Sequence, residues 1–98
     1  MTMLLLPATL TNQEARDALA MLSQALRRQS EPQVIIDASS LQQFDSAAIA
    51  VLLECERQAQ AWGKGFAVRK TPPQLAALAK LYGVESLLHL EDAAPATA

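Results

Sequence analysis

Asp45 and Ser46 are the residues of this 98-residue chain best placed to do chemistry. They follow Phe44 and precede the aliphatic run Ala47–Leu53, which is where a helix begins. A side-chain oxygen at that point caps free N–H groups, and replacing such a cap by Ala costs about 1 kcal/mol. The same position suits recognition, because a helix N-terminus carries about half a positive charge and free donors. A phosphate on Ser46 would add roughly two negative charges beside Asp45 and change how a partner face docks.

Nucleophilic catalysis lacks its other members. His89 is the single histidine, and there is no Gly-x-Ser-x-Gly elbow or oxyanion-hole glycine run. His89 also has no histidine or cysteine at ligand spacing, so neither a metal nor a cofactor is expected. Cys55 falls on an apolar helical stripe and reads as a small core residue. Glu54 and Glu56 belong to the body of the same helix, where exposure to solvent explains them.

The elements that hold Asp45 and Ser46 follow from periodicity. Met3–Leu6 is a short apolar run ended by Pro7, hence an edge or bulged strand. Thr11-Asn12-Gln13-Glu14 matches a capping box, with the threonine hydroxyl expected to accept from the Glu14 amide. Ala15, Leu19, Leu22 and Leu26 then recur at helical spacing, and Arg27 and Arg28 complement the last turn, giving a helix over about 12–29. Gln33–Asp37 is a β-branched run suited to a central strand buried on both faces and parallel to a neighbour. A second helix over 46–62 carries Ala48, Leu52, Cys55, Ala59 and Trp62 on its apolar stripe, ended by a left-handed Gly63.

Gly65–Arg69 reads as a third strand. Thr71 reads as the cap of a third helix with Pro72 at its first position. Leu75, Leu78, Ala79 and Tyr82 line one face of that helix, Gly83 ends it, and Ser86–Leu90 reads as a last strand. Residues 91–98 are small, acidic and Pro-containing, and read as a disordered tail. Alternation of strand and helix argues for an α/β sandwich with right-handed crossovers, in one domain over residues 1–90.

Composition narrows the partners. With 8 basic and 10 acidic residues the net charge is -2, so there is no basic excess to meet nucleic-acid phosphates. One cysteine excludes an internal disulfide. No stretch approaches the roughly 20 apolar residues that span a bilayer, and Met1–Leu6 is too short for a signal peptide, so direct membrane insertion is not expected.

The strand Val34-Ile35-Ile36-Asp37, the loop Ala38-Ser39-Ser40-Leu41 and the helix start Phe44-Asp45-Ser46-Ala47-Ala48 resemble the central signature of STAS domains. That family pairs a strand-end aspartate with an apolar residue and Asp-Ser-Ser-Gly. Asp37, Phe44, Asp45 and Ser46 match, whereas Ala47 replaces the second serine and Ala48 the glycine. The resemblance implies a STAS fold, a small mixed β-sheet packed with about three helices, and extends from about Leu4 to Leu90. The family has a further strand before Met3–Leu6, and its absence here is expected to leave a sheet edge open to a partner or a second copy.

Leu78-Ala79-Lys80-Leu81-Tyr82 resembles the third helix of the STAS subunit of Mla-type phospholipid ABC transporters, which maintain outer-membrane lipid asymmetry. The implied role is a non-catalytic cytoplasmic subunit, held at the inner membrane through its complex. It would bind an ABC ATPase and, through it, a membrane permease. Asp45, Ser46, Ala47, Lys80 and Tyr82 are the expected partner-binding residues. A more distant resemblance, to anti-sigma factor antagonists, implies instead a switch thrown by phosphorylation of Ser46.

Overall fold

The computed structural model describes residues 3–92. In chain order these form β1 (Met3–Leu5), β2 (Thr9–Leu10), α1 (Ala15–Arg28), β3 (Gln33–Asp37) and β4 (Gln43–Phe44). There follow α2 (Ser46–Ala61), β5 (Gly65–Thr71), α3 (Pro73–Leu81), α4 (Glu85–Leu88) and β6 (Leu90–Asp92). Four strands form one sheet in the order β1-β3-β5-β6, and β2 pairs with β4 alone. The expected mixed sheet is corrected in one respect: every pairing among the described residues is parallel. Each step across the larger sheet passes through a helix, and a crossover of that kind returns the chain in the same direction.

β3 is central, as its β-branched run requires. Val34, Ile35, Ile36 and Asp37 are all buried. Leu4, Ile36 and Val68 stand side by side across β1, β3 and β5. They share one core with Leu22 and Leu26 of α1, Ala48, Leu52 and Cys55 of α2, Leu75 and Ala79 of α3, and Leu88 of α4. The sequential strand order and this shared core put the helices on one face of the sheet, which is how right-handed crossovers must stack when each strand is added on the same side.

Several local expectations need correction. α1 begins at Ala15, after a turn in which the Glu14 and Ala15 N–H groups both donate to the Thr11 carbonyl at 3.1 Å. Half of the capping box forms: Glu14 Oε1 accepts from the Thr11 N–H at 2.9 Å. The threonine hydroxyl, however, donates to the same Oε1 at 2.6 Å. Thr71 is no cap. It is buried at the end of β5, and Pro72 takes the cap position with φ -58 and ψ 143. A residue before proline avoids the helical region, so the Pro72-Pro73 pair delays the helix to Pro73.

The last strand is also displaced. Residues 85–88 form a fourth helix, which buries Leu88 and leaves Leu87 exposed. His89, at φ 51, reverses the chain out of that helix so that Leu90 pairs with Val68. β6 takes the backbone of Glu91 and Asp92 from the segment read as a tail, and 93–98 lie outside the described residues. Trp62, expected on the α2 stripe, is 46% exposed instead, with Lys64 Nζ 5.7 Å from its ring centroid. Gly63 adopts φ 71, the left-handed conformation expected of a residue just past a helix.

Candidate functional site

The start of α2 is set by Asp45. Its backbone is extended, at φ -132 and ψ -162, and its Oδ1 accepts from the Ala47 N–H at 2.8 Å. Its Oδ2 accepts from the Asn12 N–H at 3.2 Å. One carboxylate therefore caps α2 and ties it to the turn that leads into α1. Asp45 lies at the expected site, but both its oxygens are engaged within the chain.

That division of labour frees Ser46. It is the first residue of α2 and is exposed, and its hydroxyl has no hydrogen-bond partner among the described residues. Ala47 is half-buried, with its N–H held by Asp45. Ala48 is fully buried in the core. The methyl group that stands where the family has glycine therefore packs inward and takes no part in the exposed surface.

Ser46 borders an open groove of about 750 Å³. Phe44, Leu78 and Tyr82 supply its apolar surface, and Gln42, Gln43 and Gln74 its amides. Thr11 and Asp45 complete it. The groove thus unites Asp45, Ser46 and Tyr82 of the five expected residues. Lys80 is exposed but lies outside it. Gln74, Leu78 and Tyr82 recur every four residues along one stripe of α3, and Lys80, two positions from its neighbours on that stripe, projects elsewhere. Ala47 is likewise absent from the lining. Tyr82 is 51% exposed, so its placement on the buried face with Leu75 and Ala79 is corrected.

The lining residues missed by sequence reasoning are the glutamines and Thr11. Gln43 enters through β4, a two-residue strand too short to show a period, and Gln42 through the loop just before it. Gln42 and Gln43 N–H groups donate to the Ala8 carbonyl at 2.7 and 3.0 Å, which seats this loop against the β1–β2 connection. Asp37 anchors the same loop at its other end. Its Oδ1 accepts from the Ser39 N–H at 2.8 Å, and hydrogen bonding from the Ser39 side chain first and its N–H second, with the nearby Lys70 charge, holds the carboxyl below its ordinary range despite burial. The one signal for Gln74 in the sequence was its four-residue spacing from Leu78.

What the groove can do chemically is recognition. Its lining offers apolar surface, amides, two hydroxyls with the tyrosine phenol, and one carboxylate already engaged, and it includes no histidine, lysine or arginine. Elsewhere on α2, Glu54 pairs with Arg57, whose Nε donates to Oε1 at 2.9 Å, and the carboxyl falls to about 2. This is an exposed pair within one helix, worth little to stability. Cys55 is fully buried, and burial, aided by the Glu54 charge, pushes its thiol up to about 12, so it stays protonated and unreactive. No cluster of three metal-ligating side chains occurs among the described residues.

A search of curated proteins finds no match. The family model described as "Mlab, STAS domain" matches residues 2–90, which span every element from β1 to α4 and the start of β6. With the strand-end Asp37, the capped Asp45-Ser46 helix start and the parallel crossovers already in place, that match settles the family: the chain belongs to the STAS domain family and resembles its Mlab type.

Proposed function

We propose that the protein is a non-catalytic STAS subunit that binds and supports the ATPase of an ABC-type phospholipid transport system maintaining outer-membrane lipid asymmetry. The observation that carries this reading is the free Ser46 hydroxyl at the rim of an apolar groove, with its neighbour Asp45 locked as the cap. The Mlab-type family match supports the choice of system. On this reading residues 1–90 act as one binding domain, and the Ser46–Tyr82 groove is the face presented to the ATPase.

The mechanism is differential binding. A subunit that prefers the assembled, active ATPase shifts the population toward it without chemistry of its own. The rigid cap matters because an ordered groove loses little conformational entropy on docking. No helix among the described residues is long and apolar enough to cross a membrane, so attachment to the inner membrane would run from the cytoplasm through the ATPase and its permease.

The test is affinity purification of the tagged protein from its own host in mild detergent, with mass spectrometry of what accompanies it. An ABC ATPase and a multi-span permease in near-stoichiometric amounts are expected. Their absence overturns the reading. The same exposed hydroxyl favours one alternative, an anti-sigma factor antagonist released by phosphorylation of Ser46. A kinase-like anti-sigma protein in place of the ATPase, with phosphate on Ser46, would select it.

A further inference from the structure

β1 is an edge strand. It pairs with β3 on one side, and among the described residues no strand pairs with its other side. The Leu6 N–H donates to the Asp37 carbonyl at 3.0 Å, which fixes the sense of the alternation. The N–H and C=O groups of Leu4 and Leu6 face β3, and those of Met3 and Leu5 face outward. Side chains alternate as well. Leu4 enters the core beneath the helices, whereas Met3 and Leu5 lie on the opposite face of the sheet, 41% and 59% exposed. Met3 stands beside Ile35, and Ile35 beside Ala67, so an apolar row on that face runs out to the edge.

Proteins blunt such edges with charge, proline, a bulge or a covering element. Met3–Leu5 carries no charge and no proline, and its register with β3 is unbroken. The exposure of Met3 and Leu5 shows that no described element covers it. Only its length of three residues limits pairing.

The outward groups are complementary to a copy of themselves. Turned about a two-fold axis that passes by Leu4 normal to the sheet, a second β1 runs antiparallel to the first. Met3 of each copy then faces Leu5 of the other, and each of these pairs exchanges two N–H···O bonds. Every outward N–H and C=O of Met3 and Leu5 is satisfied. Moving the axis to Leu5 would set Met3 against Pro7, which has no N–H to give. The axis at Leu4 also lays each Met3 side chain beside a Leu5 and joins the two apolar rows into one. An uncharged strand meets its own copy with no like charges opposed.

We propose that β1 pairs antiparallel with β1 of a second copy of this chain. The two four-stranded sheets become one continuous sheet with both sets of helices on the same face. The contact is small, so the dimer is weak and forms as concentration rises. It uses no residue that lines the Ser46 groove, and it holds whether or not that groove binds an ATPase.

The test is sedimentation equilibrium of the full chain from low to high concentration, with amide hydrogen exchange at both ends of that range. The average mass is expected to rise from one chain toward two, and the Leu5 amide to become protected as it does. Leu5→Pro removes two of the four bonds between copies and none to β3, because the Leu5 N–H faces outward. It is expected to stay folded by circular dichroism and to weaken the dimer at least about tenfold, the scale of two lost hydrogen bonds. Leu5→Ala keeps the N–H and should weaken the dimer less. A monomer at every concentration overturns the proposal. So does a dimer whose Leu5 amide exchanges as fast as the monomer's, which would put the contact elsewhere. Equal weakening by the two substitutions would mean that side chains alone hold the copies together, and also overturns it.

Discussion

Two helix starts in this molecule each place a hydroxyl near free N–H groups, and the two hydroxyls meet opposite fates. At α1, Thr11 Oγ1 donates to Glu14 Oε1 at 2.6 Å, and the whole interaction closes within one turn. At α2, Asp45 takes the cap at 2.8 Å, and the Ser46 hydroxyl has no hydrogen-bond partner among the described residues. The comparison teaches that a hydroxyl at a helix start becomes available to a partner when the preceding residue does the capping. The two starts are also coupled, because Asp45 Oδ2 accepts from Asn12 within the α1 lead-in.

The sharpest way to break this contrast is Asp45→Ala. It removes the cap and the link to Asn12 together, and the expected loss is about 1–2 kcal/mol of stability by denaturant titration, at the upper end for a single cap. A change well below this range would mean that water replaces both bonds. Glu14→Ala should cost less than Asp45→Ala, because the Glu14 carboxylate joins residues of a single turn; the same titration checks the order. A larger loss from Glu14→Ala would reverse the ranking of the two starts.

Acid titration separates the regions next. Glu14 and Asp37 both have carboxyls held below their ordinary values of 4.5 and 3.8. A depressed folded value means that the unfolded chain takes up protons first. The stabilisation is therefore complete above pH 4.5 and fades as pH falls through the lower folded values. Thermal midpoints measured from neutral pH downward should hold to about pH 4.5 and then drop. Asp37→Asn should flatten the part of that drop below about pH 3.8, and a profile unchanged by this substitution would contradict the role given to Ser39. The smallest effect is Ser46→Ala. With no partner to lose among the described residues, it should stay within about 0.5 kcal/mol of the parent, as an ordinary exposed substitution does.

How far the sequence revealed this follows from the same physics. The strand Gln33–Asp37 and the helix start at Asp45-Ser46 were legible because a β-branched run and an apolar period are strong local signals. The two-residue β2 and β4 are too short for any period, so Gln42 and Gln43 went unnoticed as groove residues. α3 misled in a different way. Leu75, Leu78, Ala79 and Tyr82 read as one apolar face, yet the core takes Leu75 and Ala79 fully, Leu78 packs against it while also lining the groove, and Tyr82 is half exposed at the groove. Hydrophobicity places a residue on a helix but not against the core or beside a partner. The strand expected at Ser86–Leu90 gave way to α4, because burying Leu88 and pairing Leu90 needs the left-handed turn at His89, which no neighbouring glycine announces.

The central claim is that the Ser46 groove receives the ATPase. Its most direct test is a paired purification of tagged Ser46→Arg and Gln24→Arg from the native host. Gln24 is exposed on α1 and lies outside the groove, so both variants add the same charge to exposed sites. With circular dichroism showing both folded, the account predicts that Gln24→Arg retains the ATPase and permease at parental levels and that Ser46→Arg loses them. Retention of the ATPase by folded Ser46→Arg would contradict it.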